Sequence, residues 1–233
     1  MEAVIKTCYM CTEIATSGEH APPRCFFPET KYIGEENDQR INLIKVPSCD
    51  LHNSQKSTDD EYLLYLFSMS KRANGCGLVN FHTKVAKSAR RRPKLAEKIF
   101  KNEKIIDEKS VFEIDRERID KAMGQMARAI FHSETGLKWF PPVHVSSTIF
   151  EVADEHDGIK INRNELISAT WGFAAQTISL LKDMQWKGNN QRSFKYKLLY
   201  EGSDFLLMSF MFYENIDFQI ISHPQLWDLQ LGV

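Results

Sequence analysis

Four residues near the start of the chain carry metal-ligating chemistry at useful spacing. Cys8 and Cys11 form a C-x2-C pair, and Cys49 and His52 form a C-x2-H pair some 37 residues later. Each pair can place two soft ligands on one turn, and two such knuckles complete a tetrahedral zinc site. The bland alternative is a set of buried thiols beside a surface histidine, since free cysteine favours cores. A thioredoxin-like reading of the first pair lacks the strand that should precede it and the regular helix that should follow. Between the knuckles lies GEHAPPRCFFPE, where Glu19 and His20 are adjacent and Pro22 and Pro23 follow at once. Proline removes soft torsions and biases its predecessor toward extended geometry. A metal tying the ends of this roughly 40-residue segment would contribute folding free energy that its small core cannot supply.

The order of these features carries a resemblance. C-x2-C, then Glu19-His20, then VPSCDLHNSQKS with Asn53 directly after the last candidate ligand resembles the HNH endonucleases in their zinc-stapled ββα-metal form, over about residues 5–67. The second C-x2-C of that pattern is here C-x2-H. The resemblance implies that Cys8, Cys11, Cys49 and His52 hold a structural Zn2+, that Glu19 binds a catalytic Mg2+ or Mn2+, that His20 is the general base, and that Asn53 braces the loop carrying it. Such roles agree with elementary chemistry. An imidazole with an ordinary pKa near 6.5 can take a proton from water at neutral pH, and a hard cation with oxygen ligands neutralises charge on a phosphodiester. The family's third catalytic position, a His or Asn on the following helix, is replaced here by Asp59, Asp60 and Glu61. Asp60 is the first choice for a second ligand to the catalytic cation and Glu61 the next. Acids in a first helical turn also oppose the helix dipole, so both readings stand at this point.

Phosphate contacts call for cations. Residues 84–104 hold nine Lys or Arg against two Glu, while the rest of the chain has 21 bases against 29 acids. Lys84, Lys87, Arg90, Arg91, Arg92 and Lys94 form the candidate phosphate grip, with Lys56 and Arg24 nearer the catalytic residues. Such contacts give salt-sensitive, sequence-tolerant binding. A solvated helix face is the competing reading of the run, and an ion pair with Glu29 the competing reading of Arg24.

The elements that must position these groups are legible in part. TDDEYLLYLFSMSK opens with Thr58 and Glu61 at capping-box spacing and continues as a dense apolar block, which predicts a buried helix. ANGCG at 73–77 breaks it, and Pro93 is placed to open another. Ile114, Ile119, Met123, Met126 and Ile130 recur near helical spacing before a stop at Gly136. Residues 143–152, 194–201, 204–214 and 217–223 read as strands, the last three as an antiparallel meander. Residues 154–193 carry no clear period, and Glu155-His156 in DEHDG reads as a solvated turn. The expected class is α+β in three parts: a ββα module over 1–72, a basic helical segment over 73–106, and an α+β region with an antiparallel sheet over 107–233.

A composition of 42% hydrophobic and 26% charged residues fits an ordinary globular protein. No apolar run reaches the roughly 18 residues that cross a bilayer, and the first residues lack the pattern of a signal peptide, so a cytoplasmic location with no membrane partner is expected. Five cysteines argue for metal or burial over disulfides. The expectation is a metal-dependent endonuclease acting on DNA, with RNA as the second substrate, of the restriction or phage-defence type. Its C-terminal region would serve specificity, a regulatory partner or self-association. The alternative is a non-catalytic zinc-bearing module that binds nucleic acid or another partner.

Overall fold

A computed structural model describes residues 6–54, 57–99, 101–106, 109–149, 154–156, 159–161, 179–202 and 204–224. Helix and strand are mixed, and the sheets are antiparallel.

The first strands, β1 (Ser17–His20) and β2 (Lys45–Ser48), pair in register Ser17↔Ser48 through His20↔Lys45. The connection between them carries a short 3-10 turn at Arg24–Phe26 and helix α1 (Thr30–Ile33). Two helices follow β2 directly: α2 (Asp50–Ser54) and α3 (Ser57–Met69). Helix α3 begins one residue ahead of Thr58 and buries Tyr62, Leu63, Leu64, Tyr65 and Phe67. The break expected at 73–77 is shorter than the sequence suggests, because the Asn74 side chain accepts the N–H groups of Cys76 and Gly77 and starts α4 (Gly75–Asn80) inside it.

The basic run is helical through α5 (Ala86–Arg91) and α6 (Pro93–Ile99), with Pro93 opening the latter. Its last part is different. Strands β3 (Lys101–Ile106) and β4 (Lys109–Glu113) pair as a hairpin where a continuous basic helical segment was expected. Helix α7 (Arg116–Thr135) is capped by Asp115, whose side chain accepts the Arg118 N–H. It stops at Gly136, which takes the left-handed φ of 72° that glycine tolerates. Its buried face follows Ile119, Met123, Met126 and Ile130, as the period predicts.

Strand β5 (His144–Ser146) precedes a small hairpin of β6 (Asp154–His156) and β7 (Ile159–Ile161), so Glu155 and His156 lie in a strand and not in a turn. The meander β8 (Phe194–Glu201), β9 (Phe205–Phe212) and β10 (Ile216–Ser222) is antiparallel, and β5 adds to its edge to give the order β5-β10-β9-β8. Helix α7 lies against α3, β2, β5 and β10.

The main buried cluster is continuous from the N-terminal hairpin to this sheet. Phe67 of α3 sits 4.8 Å from Phe212 of β9, 5.5 Å from Phe218 of β10 and 5.7 Å from Phe26, centroid to centroid. Aromatic rings at such spacings add to the area they bury. The loop that follows His20 is thereby anchored on the C-terminal sheet. No helix among the described residues is long and apolar enough to cross a membrane.

Candidate metal centre and adjoining cleft

Cys8, Cys11, Cys49 and His52 come together. Their ligand atoms all lie within 4.8 Å of one another, and the four could hold a zinc ion. The separations fit a tetrahedron. Zn–S near 2.3 Å and Zn–N near 2.0 Å require S···S edges of about 3.8 Å and S···N edges of about 3.5 Å. Cys11 Sγ is 3.8 Å from Cys49 Sγ, and His52 Nδ1 is 3.5, 3.5 and 3.2 Å from the sulfurs of Cys8, Cys11 and Cys49. Local folding makes this possible: the Cys49 carbonyl accepts the N–H groups of His52 and Asn53, turning the second knuckle into the start of α2. Burial opposes ionisation of the Cys8 thiol, but hydrogen bonds from the backbone at Met10 and Cys49 and from the neighbouring thiols outweigh it and lower its pKa to about 7. Burial pushes the Cys11 thiol up. Thiolates are the form that binds metal. Cys25 and Cys76 stand apart from the cluster, and all five cysteines are free of disulfides.

The β1–β2 hairpin beside this cluster positions Glu19 and His20. Neighbours on a strand point to opposite faces, and here Glu19 turns inward with Val46 and Ser48 while His20 stays half-buried. Glu19 is only 5% exposed. The Tyr9 hydroxyl donates to its Oε1 at 3.3 Å, and the Ser48 hydroxyl donates to its Oε2 at 3.4 Å. His20 Nδ1 lies 3.3 Å from the carbonyl oxygen of Ile44. A carbonyl can only accept, so Nδ1 is the donor in this contact, and in the neutral ring that leaves Nε2 as the nitrogen with the lone pair.

A cleft of about 470 Å³ is lined by Glu19, His20, Arg24, Asn53, Asp60, Glu61 and Leu64 together with Gly18, Pro23, Cys25 and Ser57. Five of the residues expected to do chemistry therefore share one cavity with Arg24. Asn53 Nδ2 donates to Ser17 Oγ at 2.8 Å, tying α2 to the start of β1. Asp60 is half-buried on the cleft side of α3, whereas its neighbour Asp59 pairs with Arg118 at 2.5 Å. Arg24 is exposed, and Glu29 pairs with Lys31 at 2.6 Å. A larger cavity, about 710 Å³, lies between His52 and α7 and holds none of these residues.

Three of the expected site residues have partners that the sequence does not announce. Glu61 accepts hydrogen bonds from Arg92, with which it forms an ion pair, and from Ser88 at 3.2 Å, so both ends of that pair are engaged with each other. Lys84 does not face outward. Its ammonium donates to the carbonyls of Cys25 at 2.6 Å and Phe27 at 2.9 Å. Burial and the nearby Arg40 lower its pKa to about 8. The Phe26 carbonyl between them accepts Asn80 Nδ2 at 2.7 Å and the Tyr213 hydroxyl at 2.8 Å. Three successive carbonyls after Arg24 are thus held from α4, from the helical turn after it and from the turn that follows β9. A charged side chain in a cationic run gives no sign that it will turn inward, which is why sequence reading places it on the surface.

Arg90, Arg91 and Lys94 are exposed, as is Lys87, whose ammonium sits 5.4 Å from the Tyr32 ring centroid. Lys56 lies outside the described residues. Tyr9, Ser17 and Ser48 were not expected to serve the site. Of these only Tyr9 leaves a sequence signal, by standing between two candidate ligands. No protein-family model, no curated protein and no solved structure matches this chain.

Proposed function

We propose that the chain is a metal-dependent endonuclease of the HNH type, with β1, β2 and α3 as its ββα-metal module. The observation that carries this reading is the His20 contact with Ile44. A general base needs an oriented ring and a vacant nitrogen, and a backbone carbonyl on Nδ1 supplies both. Nε2 then accepts a proton from water at the cleft. Asn53 holds Ser17, three residues ahead of His20 on the same strand, which fits a bracing role. Glu19 and Asp60 offer hard oxygen ligands from two walls of one cleft, suited to Mg2+ or Mn2+. A cation there would neutralise charge on the phosphate and on the leaving oxygen. Arg24 stands at the same cleft as a phosphate contact, and Arg90, Arg91, Lys87 and Lys94 present positive charge for the flanking backbone. DNA is the first substrate and RNA the second, and restriction or phage defence is the setting we favour.

One observation favours a second reading. Glu19 is almost entirely enclosed and bonded to two hydroxyls, as a purely structural carboxylate would be, in a zinc-bearing module that binds nucleic acid without cutting it. Incubation with plasmid DNA and with RNA in Mg2+ or Mn2+, with and without EDTA, separates the two. The nuclease reading requires metal-dependent cutting that His20→Ala slows by about 10²- to 10⁴-fold. Binding without cutting under either ion, unchanged in His20→Ala, establishes the second.

A further inference from the structure

Tyr9 stands between Cys8 and Cys11 and has no exposed surface. Its backbone is fixed from the hairpin, since its N–H donates to the Pro47 carbonyl at 2.9 Å, and the Cys8 N–H closes the knuckle on Glu13 at 2.8 Å. Its hydroxyl reaches across to Glu19 Oε1 at 3.3 Å. The residue is therefore clamped on both sides by candidate zinc ligands at one end and bonded to a cleft carboxylate at the other. Ser48, whose hydroxyl donates to the other carboxylate oxygen at 3.4 Å, directly precedes the ligand Cys49. Both hydroxyls on Glu19 thus belong to residues next to the staple.

We propose that Tyr9 is a positioning residue that couples the zinc staple to the cation site. Zinc would fix Cys8 just before Tyr9 and Cys11 two residues after it, and the Tyr9 hydroxyl holds the Glu19 carboxylate in the pose that meets a divalent cation. This rests on the reading of Glu19 as a cation ligand. Groups that hydrogen-bond a metal-ligating carboxylate orient it, and their loss costs about 10-fold to 100-fold in metal affinity or activity. Coupling of this kind is reciprocal, so filling the cleft site also tightens the hold on zinc.

The test titrates the zinc-loaded full chain with Mn2+, following the free ion by electron paramagnetic resonance, and measures zinc content in the same samples. Tyr9→Phe keeps the ring and is expected to retain zinc at the wild-type level while binding Mn2+ about tenfold more weakly. In cleavage assays the same variant raises the Mn2+ concentration needed for half-maximal rate more than it lowers the rate at saturating Mn2+. Glu19→Gln is expected to abolish the tight Mn2+ site. If Glu19→Gln abolishes it but Tyr9→Phe binds Mn2+ as wild type does, the coupling is wrong and the reading of Glu19 survives. If Glu19→Gln binds Mn2+ unchanged, that reading falls and the coupling with it. Loss of zinc from Tyr9→Phe also overturns the proposal, because the hydroxyl would then serve the staple itself.

Discussion

The Nδ1 atom of His20 lies 3.3 Å from the carbonyl oxygen of Ile44, which also accepts the N–H of Ala21 at 3.1 Å. One backbone carbonyl thus fixes both the strand end and the ring it carries. If Nε2 is the proton acceptor in phosphodiester hydrolysis, removing the ring removes general-base catalysis, an effect of about 10²- to 10⁴-fold. His20→Ala is expected to slow Mn2+-dependent cleavage by that factor while leaving substrate Kd and Tm near wild type. Single-turnover cleavage with gel-shift binding on the same substrate checks it. An equal loss of binding and rate would place His20 in substrate contact instead.

The Cys8, Cys11, Cys49 and His52 cluster, read as a zinc staple, makes its own prediction. Cys49→Ser removes one of four ligands whose separations fit a zinc tetrahedron. Zinc content should fall from about one ion per chain to a small fraction. The hairpin has little core of its own, so its amides should lose protection first. Hydrogen exchange at Tyr9 and Ala21, whose N–H groups bond to Pro47 and Ile44, is expected to accelerate while α7 and the β8–β10 meander stay protected. Uniform loss of protection would mean that the staple supports the whole fold.

These features differ in how far the chain discloses them, and the reasons are physical. Helix α7 and the meander are legible because each writes its period into local sequence: Gly136 stops the helix and short polar turns separate the strands, although the helix starts after the Asp115 cap and so leaves out Ile114, which the period includes. The cysteine and histidine cluster is legible because ligand spacing within each knuckle is local. The β3–β4 hairpin is not, since Lys101 and Lys104 continue a basic run and nothing in composition separates a charged strand from a charged helix. Glu61 and Arg92 are 31 residues apart, and Lys84 meets Cys25 across 59 residues. Such pairings are made by tertiary packing, and sequence neighbours carry no trace of them. The inward turn of Glu19 is intermediate: alternation along a strand requires Glu19 and His20 to part, but not which of them is enclosed.

Lys84 yields a prediction in which the sign can be worked out. Burial, with Arg40 nearby, lowers its pKa from 10.5 to about 8 in the folded chain. Between those values the unfolded chain binds more protons than the folded one, so stability attributable to this group rises with pH across the window and is lost as pH falls through about 8. The difference in urea-unfolding free energy between wild type and Lys84→Met should therefore shift toward wild type from pH 7.5 to pH 9.5. Taking the difference cancels titrations common to both proteins. A difference independent of pH would place the ammonium in solvent.

The basic helices complete the argument, because Arg90 and Arg91 differ from Arg92 although all three are adjacent. All three are exposed, but the Arg92 guanidinium is held by Glu61 and Ser88. Each exposed arginine that contacts a phosphate releases about one counterion on binding, so its removal should reduce the slope of log Kd against log salt by about one. Arg90→Ala with Arg91→Ala is expected to flatten that slope by about two and to weaken binding evenly across unrelated DNA sequences. Arg92→Ala acts by another route. It removes the ion pair from the Glu61 carboxylate at the edge of the cleft and leaves it only the Ser88 hydroxyl among the contacts described, so its effect should appear in the Mn2+ dependence of cleavage more than in the salt slope. Fluorescence-anisotropy titrations at several salt concentrations, paired with Mn2+ titrations of cleavage, resolve the two. Equal salt slopes in wild type and the double variant would remove the helices from the nucleic-acid surface and leave Arg24 at the cleft as the phosphate contact to test next.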